Sequence, residues 1–177
     1  MLIAIKNSKK NKDYHENKQE FSPSMVKIIR REDSQEEPLY LGTAESEHIE
    51  MYLKAIWYIR ERGGDVKVSS IAQLLNVTQP SVVQMLKKLD SLNLLQYTAR
   101  EIEITLEGER VGKQMIRNTR LLEVLMKDAL KIEIDEEMVC GIEHHMKNMF
   151  TEALCTLLNH PRLCPHGHDI PKGMCCP

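Results

Sequence analysis

Apolar positions recur at helical spacing from about residue 47 onward. Between Glu47 and Arg62, the residues Ile49, Tyr52, Leu53, Ile56, Trp57 and Ile59 fall three and four apart, the stripe of an amphipathic helix. Gly63-Gly64 supplies its stop. Ile71, Ala72, Leu74 and Leu75 mark a short second helix that Ser69 or Ser70 can cap. Thr78-Gln79-Pro80-Ser81 opens a third. Threonine is a good cap, and proline is tolerated in a first turn, where a backbone N–H has no intrahelical partner. This helix carries Val82, Val83, Met85, Leu86 and Leu89 and runs to about Leu92. The period then changes to two. Ile102 and Ile104 alternate with Glu101, Glu103 and Thr105, and the run Leu94 to Thr98 precedes them, which predicts a hairpin turning near Ala99-Arg100. Two short helices, a tight turn and a hairpin together predict a winged helix-turn-helix. A long helix follows from Thr105-Leu106-Glu107-Gly108 to about Leu130, then one capped by Asp135, then one over Met149 to Asn159.

The expected fold class is mainly α: an N-terminal winged helix-turn-helix over 45–108, then a helical domain over 109–162. Residues 1–44 show no sustained apolar period and predict a disordered extension. Residues 163–177, rich in Gly, Pro, Cys and His, read as a loop. The net charge of -2 puts any nucleic-acid footprint in a local patch. No apolar run approaches the roughly 18 residues of a membrane span, and the opening Met1 to Ile5 is too short for a secretory leader. We therefore expect a cytoplasmic protein with no membrane partner. Five cysteines, an odd number, do not make a disulfide framework; in a reducing compartment they are free thiols or metal ligands. The helical segment has more apolar surface than it can bury alone, which predicts a homodimer.

The chemistry concentrates in Cys140-Gly141-Ile142-Glu143-His144-His145. On a helix, Cys140, Glu143 and His144 share one face: a thiolate, a carboxylate and an imidazole, the mixed donor set of a transition metal. The same spacing also suits a buried Cys beside a surface Glu and a hydrogen-bonded His, and spacing alone leaves both readings open. His145 points off this stripe, His48 reads as exposed, and Met146 and Met149 read as core filler. Thr78, Gln79, Ser81 and Gln84 open the third helix; Gln reads adenine edges, and Ser or Thr reaches phosphate or base. Lys87, Lys88 and Arg100 are candidate phosphate contacts, and Lys87 and Lys88 equally suit a solvated face. The tail's Cys164, His166, His168, Cys175 and Cys176 are metal donors without the spacing of a closed site.

From about Ser46 to Pro171 the chain resembles the iron- and manganese-dependent repressors of the diphtheria toxin repressor family. The resemblance rests on Glu50-Met51-Tyr52-Leu53-Lys54-Ala55-Ile56, on Pro80-Ser81-Val82, on Leu106-Glu107-Gly108 after the wing, and on Gly141-Ile142-Glu143-His144-His145. The loop from Cys164-Pro165-His166-Gly167 to Ile170-Pro171 is similar too. The resemblance implies a metal-activated DNA-binding repressor of metal-uptake or metal-homeostasis genes, a dimer on a palindromic double-stranded operator, and not an enzyme. It implies a regulatory site of Met51, Cys140, Glu143 and His144, with carboxylates of the manganese branch replaced at Met51, Lys54 and Cys140. Lys54 is a cation and cannot be a ligand. Thioether and thiolate favour Fe2+, with Mn2+, Co2+, Ni2+ and Zn2+ as other binders. At the family's ancillary His-Glu-His site the matching residues are Thr119, Glu123 and Glu136, which leaves Glu123 and Glu136 as oxygen donors. The additional C-terminal small barrel of the family is expected to be absent. Two alternatives remain: a winged-helix regulator indifferent to metal, and a zinc metalloenzyme.

Overall fold

The computed structural model describes residues 44–98 and 101–177. The first helix, α1 (Ala44–Glu61), ends at Gly63, whose φ of 67° suits a residue without Cβ. The helix α2 (Val68–Leu75) begins one residue before the expected serine caps. Lys67 precedes it without a side-chain cap, and Asn76 closes it in the left-handed conformation at φ 52°. The helix α3 (Gln79–Ser91) is capped as expected, with the Thr78 side chain accepting from Ser81 N.

The strands β1 (Leu95–Tyr97) and β2 (Ile102–Ile104) pair antiparallel, Leu95 opposite Ile104 and Tyr97 opposite Ile102. Their turn residues, Ala99 and Arg100, lie outside the described residues. Thr105 then caps α4 (Leu106–Val124) by accepting from Gly108 N. A Cβ on Gly108 would run into the Leu94 carbonyl, so glycine lets the start of α4 lie directly on the wing. A π-helical turn (Leu125–Ala129) extends α4, and α5 (Glu136–Glu143) follows under an Asp135 cap donated to by Met138 N at 2.9 Å. The last helix is α6 (Asn148–Leu157), after which the chain runs without helix or strand apart from a Leu163–Asp169 bridge.

Two apolar cores result. Leu53, Ile56, Ile71, Val82, Leu86 and Leu89 centre the winged-helix core. Leu121, Leu122, Val139, Met146, Leu154 and Cys155 centre the other. The helix α4 packs on α1, α5 and α6 and joins the two. At its middle, buried Arg120 donates to both carboxylate oxygens of Glu61 (2.8 and 2.5 Å) and to the Asp169 carbonyl, tying α1, α4 and the tail. Met146 is in the core as expected. Met149, expected there too, is 82% exposed: in the first turn of α6 it is Thr151 that faces α4, bonded to Asn118, and Met149 lies on another side of the helix.

Candidate metal centre and DNA-facing helix

Helical geometry brings Cys140, Glu143 and His144 together: one donor atom from each lies within 4.8 Å of the others. Glu143 is fully buried and His144 nearly so. Both Glu143 carboxylate oxygens are engaged. Lys54 Nζ of α1 lies 2.6 Å from Oε1, and the Thr119 hydroxyl of α4 donates to Oε2. The Glu143 carbonyl accepts from Asn118 Nδ2 at 3.0 Å, and Asn118 Oδ1 accepts from Thr151 Oγ1 of α6 at 2.8 Å. This buried chain of hydrogen bonds fixes the end of α5 against α4 and α6.

His144 has two different nitrogens. Nδ1 lies 2.7 Å from Glu50 Oε2, which in the neutral ring makes Nδ1 the donor and leaves the lone pair on Nε2. Nε2 is buried, has no hydrogen-bond partner and lies 3.6 Å from Glu143 Oε1. A buried nitrogen acceptor without a partner is costly in an inert core. Burial pushes the Cys140 thiol up, with Glu143 and Glu47 adding to the rise and Lys54 opposing it. The residues therefore fit a transition metal: an oriented imidazole lone pair, a carboxylate and a thiol at one point, held by outer partners. Met51 is half-buried on α1, between Glu50 and Lys54, the two residues that reach α5.

Three of these partners were not legible as such. In the sequence Glu50 is a motif residue with no assigned role, Lys54 occupies a lost ligand position, and Thr119 a lost imidazole position. A second donor cluster joins Glu123 to Cys164 and His166 of the tail, again within 4.8 Å, with His166 Nδ1 3.3 Å from Glu123 Oε2. Glu136 is exposed and outside that cluster, but it lines the same cavity of ≈ 480 Å³, as do Cys140 and Thr119. His145 and His48 are exposed.

On α3, Val82, Leu86 and Leu89 face the core, so Gln79, Ser81, Gln84 and Lys87 are outward and exposed. Thr78 and Ser81 share a hydroxyl contact of 2.8 Å as part of the helix cap. Lys88 is half-buried and pairs with Glu45 of α1, so its ammonium is engaged within the protein. Arg100 lies outside the described residues.

Comparison with known proteins agrees with this division. Residues 45–101 match the family model described as the iron dependent repressor N-terminal DNA-binding domain, and 105–172 the iron dependent repressor metal-binding and dimerisation domain. The iron-dependent repressor IdeR of Mycobacterium leprae is 30% identical over 125 residues, 69% of this chain and 54% of that protein. The regulator MntR of Shouchella clausii is 38% identical over 103 residues, 55% of this chain and 70% of that protein. The chain thus spans about half the length of the mycobacterial repressors it matches. Among solved structures, the manganese regulator SloR superposes with a TM-score of 0.61 at 32% identity, covering 70% of this chain and 59% of that one. The IdeR of T. acidophilum gives 0.58 at 29% identity over the same shares. The chain therefore belongs to the iron- and manganese-dependent repressor family, the diphtheria toxin repressor family, with its winged helix in the DNA-binding part and the Cys140, Glu143 and His144 cluster in the metal-binding part.

Proposed function

We propose that this protein is a cytoplasmic transcriptional repressor, switched on by iron(II) held between α1 and α5, that controls genes of metal uptake or homeostasis. The observation that carries this reading is His144 Nε2: a buried, partnerless lone pair beside a carboxylate and a thiol. Cys140, Glu143, His144 and the Met51 thioether are the ligands. Two sulfurs make the set softer than an all-oxygen one and favour iron(II) over manganese(II). When bound, the ion supplies a divalent charge and coordination bonds that join α1 to α5.

The chain's own groups do the rest. Glu50 keeps His144 in the tautomer that presents Nε2, Cys140 gives up its proton, and Lys54 swings off Glu143 Oε1. Glu123, with Cys164 and His166 in place of the family's imidazoles, offers an ancillary site, and Glu136 on the same cavity is its further oxygen donor. On DNA, Gln79 and Gln84 read bases, Thr78 and Ser81 fix the start of the recognition helix, and Lys87 and Arg100 meet phosphate, joined by Lys88 only where it exchanges Glu45 for a phosphate. Met138, Ile142, Phe150 and Leu157 leave an apolar surface exposed on α5 and α6, which supports a homodimer and hence a palindromic operator.

The test is an anaerobic operator-binding titration in chelator and then in iron(II), manganese(II) or zinc(II). Iron(II) should raise affinity at least about tenfold, a differential of ~1.4 kcal/mol, and Cys140→Ala or His144→Ala should abolish the gain. Equal binding in chelator and iron(II) would leave the metal-indifferent regulator as the better reading.

A further inference from the structure

The end of the chain holds another cluster, apart from the site above. Cys155 is on α6, His160 follows that helix, and Cys175 and Cys176 close the tail; their donor atoms all lie within 4.8 Å of one another. Asn159 and His160 both adopt left-handed backbone, at φ 61° and 53°, and His160 N donates to the Cys155 carbonyl. This double turn brings the imidazole back over α6, with Nδ1 3.7 Å from Cys155 Sγ. Cys176 Sγ lies 3.8 Å from Cys155 Sγ and 4.0 Å from Cys175 Sγ.

These spacings decide between chemistries. A disulfide has sulfurs about 2.05 Å apart, so the three cysteines are not arranged as one. A tetrahedron built on zinc–sulfur bonds of about 2.3 Å and zinc–nitrogen bonds of about 2.0–2.1 Å has edges of roughly 3.8 Å between sulfurs and roughly 3.5 Å between sulfur and nitrogen. The observed 3.7, 3.8 and 4.0 Å are those edges to within a few tenths.

The surroundings match as well. Arg117, 2% exposed, donates toward Cys175 Sγ at 3.2 Å and Cys176 Sγ at 3.7 Å. A zinc ion with three thiolates and a neutral imidazole carries one net negative charge, and a permanent cation donating to two of its sulfurs is the outer partner such a site calls for. Glu152 accepts from Cys175 N at 2.8 Å and fixes that backbone.

We propose that Cys155, His160, Cys175 and Cys176 form a closed, structural zinc site that fastens the end of the chain to α6. All four positions are protein ligands, so no site remains for substrate or water. Three sulfurs select zinc over iron(II), so the two centres differ in the metal they retain.

The test uses the full chain carrying Cys140→Ser and His144→Ala, which removes the regulatory ligands and makes the result independent of the function proposed above. Purified anaerobically and dialysed against a mild chelator, this protein should retain about one zinc per chain. Replacing the zinc with cobalt(II) should give the intense thiolate-to-cobalt absorption of a tetrahedral sulfur site. Adding Cys176→Ser should remove both. A chain that holds no zinc and shows no cobalt–thiolate band would overturn the proposal. So would native alkylation of Cys155, Cys175 and Cys176 at rates that do not change when a strong chelator is added, a measurement on the unaltered chain that does not depend on any variant folding.

Discussion

Lys54→Gln should tighten the regulatory metal site. The Lys54 ammonium, 18% exposed, lies 2.6 Å from a Glu143 oxygen that is fully buried. It holds the place of a cation, and it must leave before Glu143 can ligate one. Two unit charges about 4 Å apart at an effective dielectric near 20 interact by ~4 kcal/mol. An ammonium that reaches water on leaving recovers about half of this through solvation and screening. The remaining ~2 kcal/mol opposes metal binding, so removing it should lower the dissociation constant roughly thirtyfold. Glutamine is one atom shorter than lysine, keeps a polar end and loses the charge. The metal-free variant should also unfold more readily, because Glu143 is left buried without its counter-ion, and metal should restore the difference. The assay is anaerobic competition against a chromogenic chelator with iron(II), and with cobalt(II) as a stable probe, with parent and variant compared at one fixed pH. A folded Lys54→Gln protein that binds metal no more tightly than the parent would refute this account of Lys54 as an internal competitor.

Cys140 gives a second prediction. Its thiol is pushed up, chiefly by burial, so it is protonated in the metal-free protein at neutral pH and must release that proton on binding. Metal affinity should therefore rise with pH, by about tenfold per unit from this group between about pH 6 and 8, and Cys140→Ala should remove that slope; competition titrations across pH measure it. On α3, Lys87→Ala should weaken all DNA sequences alike and reduce the salt slope of binding by about one, whereas Gln84→Ala should relax preference at one base position; fluorescence anisotropy at several salt concentrations separates them. Glu61 is held below the usual carboxyl range by its hydrogen bonds with Arg120. Its contribution to stability is full above the unfolded carboxyl value near 4.3 and is lost as pH falls through the lower folded value. Glu61→Gln should cost about 2–3 kcal/mol at neutral pH by stranding buried Arg120, and the gap from the parent should close in acid unfolding curves.

The helices and the hairpin were legible because each carries its own period, and three of the helices their own cap. Thr78, Thr105 and Asp135 all cap as their positions suggest. Ser69 and Ser70 do not, since the turn after Gly64 delivers the chain to α2 one residue earlier. The meeting of Cys140, Glu143 and His144 was legible for the same local reason: three residues on one helical stripe need no tertiary information. What was not legible is everything that crosses long stretches of chain. Glu50 reaches His144 and Lys54 reaches Glu143 only because α1 lies beside α5. Cys155 and His160 had no visible link to Cys175 and Cys176, because a left-handed turn after α6 and the return of the tail create their proximity. Met149 was misplaced because apolar spacing marks a face without saying whether the neighbouring element extends far enough to cover it.

The ion pairs at the centre also constrain how the switch works. A clamp that closes two free lobes would need them unconnected before the metal arrives. Here α1 and α5 are already joined at two points, Glu50 to His144 and Lys54 to Glu143, and α4 packs against both helices. Under the proposed function, metal binding would therefore exchange one tie for another: Lys54 would leave Glu143, Met51 would help hold the cation, and Glu50 would keep its hold on His144. The free energy available to the switch is the difference between those two sets of contacts, not the full strength of the coordination bonds. A displacement of an ångström or two along α1 is enough to move α3, because Leu53 and Ile56 pack in one core with Val82 and Leu86. On this argument the metal-free protein retains nearly its full compactness, and small-angle scattering should find the radius of gyration of each protomer almost unchanged on loading. A large contraction would mean that the Lys54 and Glu50 ties do not hold in solution.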